Sequence, residues 1–298
     1  MRVAVLGSGV QGTIFAVKLS QAGHDVTLVS RGRRAEQLVA QGAQIENVRS
    51  GERFSATLQV TDHLDPAIQM DVCLVTVRRE QLQDALPMLQ ASSIPRLVFL
   101  MNDADGFTGQ ELGIGKLKKV LAFPGVAGAL LGGVVHFAEV VGQSLVVDKS
   151  AHDIVSLLRC VDSRLTPVAD MPAWLARHAV FIVAFAGGFA LVGGSATELA
   201  SNMEVRKCIF AGIEEGWACL DEQQVGPAPL ALRAIFSWVP RSLTDFYWRR
   251  LFASPEGELY FGQHFRHATS ESKFLAEGIL LRIQREAAPN LRHLIAAL

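Results

Sequence analysis

Residues 1–34 constrain the fold of this chain more than any other stretch. Arg2-Val3-Ala4-Val5-Leu6 predicts a buried strand, Gly7-Ser8-Gly9-Val10-Gln11-Gly12 a tight turn into a helix, and Asp25-Val26-Thr27-Leu28-Val29 a second strand ending at Ser30-Arg31. Strand, glycine turn, helix and strand in that order make the first half of a dinucleotide-binding fold. Gly7 permits the turn, Gly9 lets a pyrophosphate approach the backbone, and Gly12 lets the helix lie close to the strand. The helix start adds free N–H groups and a positive dipole end, so Gly7, Ser8, Gly9, Val10, Gln11 and Gly12 are the expected phosphate loop.

The residues after the second strand choose the nucleotide. An NAD site places a carboxylate there to hold the ribose 2′-hydroxyl. This chain has Ser30-Arg31-Gly32-Arg33-Arg34, with no acid before Glu36. A guanidinium grips a 2′-phosphate bidentately, and a helix start disfavours cations that lack an anionic partner. The expected cofactor is therefore NADP, read by Ser30 and Arg31.

Half of the chain is hydrophobic, 19% is charged and the net charge is −1, which argues against disorder and against a nucleic-acid partner. Cys73, Cys160, Cys208 and Cys219 are scattered without a CxxC pair, as in a reduced protein. Met1 leads straight into a strand, so no signal peptide is expected and the expected location is cytoplasmic. Residues 179–197 run uncharged for the length of a membrane span. Gly187-Gly188 and Gly193-Gly194 interrupt them, and a helix apolar all round can be buried in a core, so no membrane partner is expected.

Strands and helices alternate past Arg34, with a helix over 35–41, a short strand over 53–60, a buried strand over 71–77, a helix over 80–89, and strands over 96–101 and 119–123. Residues 133–147 predict a hairpin at the sheet edge, turning near Gly142. Helical patterns then take over, across 173–191, 196–223, 228–251 and 269–285. The expected fold class is α/β: a Rossmann-type doubly wound parallel sheet over 1–167, followed by an all-helical domain over 168–298. Ligands of open α/β sheets sit beyond the carboxyl ends of the strands, so the expected site is the cleft that the helical domain closes.

These motifs resemble the ketopantoate reductase family (2-dehydropantoate 2-reductase, PanE/ApbA type). Gly7–Gly12 is similar to the family's glycine loop, and Arg31 stands where that family places its 2′-phosphate arginine. Leu74-Val75-Thr76-Val77-Arg78 is similar to the strand that ends in a lysine near the cofactor, with Arg78 in its place. Leu100-Met101-Asn102 resembles the strand end whose asparagine sits by nicotinamide and substrate. The resemblance implies NADP-dependent reduction of a 2-oxo acid. The family's W-x-K-x-x-x-N pattern departs here: Trp174 stands, but the lysine, asparagine and further asparagine positions are Ala176, Val180 and Ala184. A pocket lined by those three suits a bulkier or more apolar substrate. Glu271, between Ser270 and Ser272, is the nearest match to the glutamate that holds substrate.

A reductase needs a proton donor near the carbonyl. His178 is the leading substitute for the lost lysine, although it lies about 200° round the helix from Ala176 and a packing role competes. Arg177 could bind a substrate carboxylate and Lys207 could enter the cleft, each with a surface or ion-paired alternative. Asn102 can donate and accept at a strand end, while Asp103 and Asp105 either hold substrate hydroxyls or cap a helix. His264 and His267 lack a third ligand, so no metal is expected. Two readings stay open, a reductase of a small carbonyl substrate and a non-catalytic NADP-binding module. Trp217, Phe236, Trp238, Phe246 and Trp248 suit either a core or a homodimer face.

Overall fold

The computed structural model describes residues 1–104, 113–114, 118–139, 143–284 and 287–298. Asp105, the expected turn at Gly142 and the expected helix end at Arg285 lie outside these residues. The chain divides into two compact units, Met1–Met101 with Phe107–Met171, and Asn102–Gly106 with Pro172–Leu298.

Among the described residues the first unit holds twelve strands: β1 Arg2–Leu6, β2 Asp25–Val29, β3 Ala43–Asn47, β4 Arg53–Ala56, β5 Gln59–Thr61, β6 Val72–Val75, β7 Arg96–Leu100, β8 Lys118–Phe123, β9 Val126–Leu131, β10 Val134–Glu139, β11 Val146–Asp148 and β12 Thr166–Val168. Its helices are α1 Val10–Gln21, α2 Gly32–Gln41, α3 Leu82–Ala91 and α4 Val155–Arg159. Eight strands form a mostly parallel sheet in the order β12-β11-β8-β7-β6-β1-β2-β5, in which β11 runs antiparallel to β8. The central strands are apolar on both faces, as helices on both sides demand: Val3, Ala4 and Val5 in β1 and all of Val72–Val75 in β6 are fully buried. The strand order reverses at β1, whose register sets Leu6 opposite both Val29 and Val75. The residues that follow β1, β2 and β6 therefore emerge together at the switch point, where this architecture binds ligands.

A second sheet, in the order β4-β3-β10-β9, corrects the expected edge hairpin. The β9–β10 hairpin turns at Gly132-Gly133, not near Gly142, and pairs Leu131 with Val134. Both glycines have positive φ, 57° and 93°, as a two-residue type I′ turn requires. The expected strand over 53–60 also divides, with β4 in the small sheet and β5 at the edge of the large one.

The second unit is helical: α5 Met171–Leu191, α6 Ala196–Ser201, α7 Met203–Glu222, α8 Leu230–Arg233, α9 Arg241–Phe252, α10 Pro255–Gly257, α11 Gln263–His267, α12 Thr269–Arg282 and α13 Pro289–Ala296. Two of the expected long helices break for local reasons. Asn202 caps α7 by accepting from the Val205 N–H at 3.1 Å, and Pro240 separates α9 from a π-helical turn over Ala234–Trp238. Helix α5 is long and apolar enough to cross a membrane, yet 78% of its most apolar window is buried in the fold. Its Ala176, Ala179, Ala184 and Ala186 and its three phenylalanines belong to one aromatic-rich core with Phe210, Trp217, Phe236, Trp248 and Phe252. Packing on this core, rather than lipid, accounts for its composition. The helices meet closely at glycines: a Cβ at Gly187 would lie 2.2 Å from the Leu294 carbonyl oxygen.

Candidate functional site

In the first unit the phosphate loop is held from three sides. Gly7, at φ 106°, donates its N–H to Val29 O at 3.1 Å. The Thr76 hydroxyl is shared between Leu6 O at 2.9 Å and Gly7 O at 3.1 Å, and the Thr13 hydroxyl reaches back to Ser8 O at 3.1 Å. A Cβ on Gly12 would lie 1.8 Å from Gly7 O, so only glycine lets α1 start so close beneath the turn. Gly9 is different. Its φ is −71°, it is exposed, and an added Cβ would meet nothing within 4 Å. No side chain caps α1 at Gly9 and no acid stands in its first turn, which leaves a helix start suited to an anion.

The arginines beyond β2 divide into two roles. Arg34 spends its guanidinium on the protein: Nε donates to Ser8 O at 3.4 Å, one terminal nitrogen to Gln37 and to Gly133 O at 3.0 Å, and the other to Thr13 Oγ1 at 3.3 Å. Arg31 is exposed and bonds only through Nε, to Asp62 O at 3.2 Å, so no bond among the described residues uses its terminal nitrogens. Ser30 is buried, and its hydroxyl lies 2.6 Å from that of Ser8. Val10 packs against the core, while Gln11 Nε2 donates to Val126 O at 3.0 Å, leaving its backbone for the loop. Arg78 lies beyond the end of β6, 3.8 Å from Glu80 and 40% exposed. Thr13, Thr76 and Arg34 carried no sequence signal as loop supports; the nearest sign was a hydroxyl residue just past a buried strand.

In the second unit, Asn102 and Glu271 meet. They stand 169 residues apart, yet Asn102 Nδ2 donates to Glu271 Oε1 at 2.8 Å. Glu271 projects from the first turn of α12, and both side chains are half-buried. Asn102 Oδ1 is buried without a bonding partner among the described residues.

The proton-donor candidates are corrected. His178 is fully buried, stacked between Trp174 at 4.9 Å and Phe181 at 5.6 Å. Burial pushes its pKa down to about 3, so at neutral pH the ring is neutral and offers no imidazolium acid. Arg177 is equally buried and donates to Gly226 O, Trp217 O, Val225 O and Asp221, which makes it a core brace. Lys207 forms an exposed pair with Glu204 on the same helix, at 2.9 Å. Ala176, Val180 and Ala184 are buried within the helical core, not set along an open pocket. Asp103 is fully buried as well. Among the described residues no group of three His, Cys, Asp or Glu could hold a metal ion. A cleft of about 620 Å³ over the small sheet, which includes Glu46, Arg53 and His136 in its lining, contains none of the expected site residues.

Comparison with known proteins finds the same fold. The profile of the family described as ketopantoate reductase PanE/ApbA matches residues 3–144. A glycerol-3-phosphate dehydrogenase [NAD(P)+] of Pelodictyon phaeoclathratiforme is 34% identical over 166 residues, 52% of this chain and 48% of that protein. A 2-dehydropantoate 2-reductase of Pyrococcus horikoshii is 27% identical over 111 residues, 37% of this chain and 35% of its own length. The matched region thus spans half or less of these relatives. Among solved structures, D-mandelate dehydrogenase with NADH and anilino(oxo)acetate superposes with a TM-score of 0.75 at 16% identity, over 100% of this chain and 96% of the other. A dimeric ketopantoate reductase from Staphylococcus aureus gives 0.69 at 14% identity, over 99% and 96%. These structures share the fold. Residues 3–144 match the ketopantoate reductase PanE/ApbA family domain, a family of oxidoreductases.

Proposed function

We propose that this chain is an NADP(H)-dependent reductase that converts a 2-oxo acid or a related carbonyl compound to the hydroxy compound. Gly9 carries the reading. Neither its φ nor any neighbour requires glycine, so the requirement comes from what approaches it, and a pyrophosphate at the uncapped start of α1 fits. Arg31 and Ser30 favour NADP, because the terminal nitrogens of Arg31 have no bond among the described residues and no carboxylate follows β2 directly to repel a 2′-phosphate. Arg78 adds positive charge on the same side of the fold, just beyond β6.

A bound nicotinamide would supply the hydride. Asn102 and Glu271 are the polar pair offered to substrate: Glu271 fixes the Asn102 amide, and Asn102 Oδ1 is left to accept an N–H or O–H. Glu271 is then the ionisable group best placed to exchange a proton with solvent as the alcohol forms.

The second reading is a nucleotide-binding protein without turnover. It is favoured by Ala176, Val180 and Ala184, which bury apolar side chains where the family's polar positions align. The test is NADPH consumption with ketopantoate and with aliphatic and aryl 2-oxo acids, repeated with Glu271→Gln and Asn102→Ala. Turnover that both substitutions reduce supports the reductase. Tight NADPH binding with no turnover on any substrate supports the second reading, and failure to bind NADPH removes both.

A further inference from the structure

An NAD site would place a carboxylate directly after β2; here one stands after the neighbouring strand, β5. The two strands run parallel at the edge of the large sheet, with Val29 opposite Thr61. Ser30-Arg31 and Asp62-His63 therefore leave the sheet side by side, although Arg31 and Asp62 lie 31 residues apart. Two backbone acceptors tie them together. Ser30 N–H donates to Thr61 O at 2.8 Å, and Arg31 Nε donates to Asp62 O at 3.2 Å. The Thr61 hydroxyl donates to His63 O at 3.1 Å and fixes the turn. Asp62 Oδ1 then lies 2.6 Å from His63 Nδ1, with the two side chains 75 and 64% exposed. That bond, helped by the Arg31 charge, holds the Asp62 carboxyl below the usual carboxylate range, so Asp62 is an anion at neutral pH. Among the described residues no bond uses Asp62 Oδ2 or the terminal nitrogens of Arg31.

We propose that Asp62, held by His63, is a second reader of the adenosine 2′ position and sets how far NADPH is preferred over NADH. The proposal rests on the NADP reading of Arg31. The two nucleotides differ at that position in charge. A 2′-phosphate carries about two negative charges, which Arg31 attracts and Asp62 repels. A 2′-hydroxyl carries none, and Asp62 Oδ2 can accept its hydrogen bond as the carboxylate of an NAD site does. His63 sets the balance: it occupies Oδ1 and, in its charged form, offsets the Asp62 anion. Helix α2 begins beside them at Gly32, with no capping side chain and no acid in its first turn. Arg31 and this helix start favour the phosphate, and Asp62 is the counterweight. A role in the fold does not account for the pair, because an ion pair this exposed contributes little to stability. Sequence spacing hides Asp62, since it reaches Arg31 only through the pairing of β5 with β2.

The test is direct binding of NADPH and of NADH, by calorimetry and without substrate, to the parent, Arg31→Ala, Asp62→Ala, His63→Gln and the Asp62→Ala/His63→Gln double variant. Asp62→Ala should tighten NADPH about threefold or more and weaken NADH about threefold or more, because the repulsion and the acceptor are lost together. His63→Gln should weaken NADPH about threefold while leaving NADH within about twofold, and should do less in the Asp62→Ala background. Melting curves should stay as in the parent, because both positions are exposed. Equal changes for both nucleotides, the mark of an adenine contact or of a disturbed turn, would overturn the proposal. A preference for NADPH that Arg31→Ala abolishes and Asp62→Ala leaves unmoved would overturn it alone, with the NADP reading intact. A parent that binds neither nucleotide removes that reading and this proposal with it.

Discussion

Gly9 and Gly12 sit three residues apart in opposite surroundings. A Cβ on Gly12 would strike the Gly7 carbonyl oxygen at 1.8 Å, whereas one on Gly9 would stand in open space. Gly12→Ala should therefore cost about 1–3 kcal/mol of stability or more, as overpacking against backbone does. Gly9→Ala should leave the melting temperature within about a degree or two of the parent while weakening NADPH binding by about tenfold or more. Melting curves alongside a nucleotide titration separate the two, and a Gly9→Ala protein with unchanged affinity would contradict the phosphate-loop assignment. His178 carries a pH prediction. Its folded pKa of about 3 lies below the ordinary 6.5, so the fold favours the neutral ring. The stability this gives is complete above pH 6.5 and is lost as pH falls toward 3, because the unfolded chain takes up the proton first. The slope is about 1.4 kcal/mol per pH unit, so the parent should lose roughly 2 kcal/mol between pH 6.5 and pH 5. Denaturant melts of parent and His178→Phe across that range should show the excess slope in the parent alone. Sequence could not separate Arg31 from Arg34, since side-chain type and spacing are alike for a brace and a reader. Only the acceptors around Arg34, at Ser8, Thr13, Gln37 and Gly133, assign it to the scaffold.

At the scale of elements, what is local in sequence is legible and what depends on distant partners is not. The β1–turn–α1–β2 run follows from glycine placement and apolar periodicity within 34 residues, and the structure has each part there. The small sheet was not legible, because β3 pairs in parallel with β10 some ninety residues later. The Gly132-Gly133 turn itself was a readable hairpin signal between two apolar runs, but the reading favoured Gly142. For α5 the sequence showed an apolar helix without showing which side faced what. A helix apolar all round has no moment to orient it, so Ala176, Val180 and Ala184 could be read as a pocket when they are core. The close crossing of α5 and α13 makes its own prediction. Gly187→Ala would press a methyl group to within 2.2 Å of the Leu294 carbonyl oxygen, and should destabilise the helical unit by about 1–3 kcal/mol in a denaturant melt. A neutral result would mean that the two helices can part there at little cost.

For the whole molecule, an α/β Rossmann-type unit followed by a helical unit was legible, because alternating strand and helix patterns give way to helical ones near residue 170. The site was legible in halves. The glycine loop announced itself, but the meeting of Asn102 with Glu271 joins positions 169 residues apart, and no spacing rule links them. His178, Arg177 and Lys207 drop out of the site once burial and bonding are known, which leaves Glu271 beside Asn102 as the polar pair. If the loop, the switch point and Arg31 serve NADP as proposed, the chain must bind it. The most direct test is a titration of the purified chain with NADPH and, separately, NADH, for the parent and for Arg31→Ala. The account predicts about micromolar or tighter NADPH binding in the parent, NADH at least about tenfold weaker, and loss of that preference in Arg31→Ala. No binding of either nucleotide, or a preference for NADH that Arg31→Ala leaves unchanged, would contradict it.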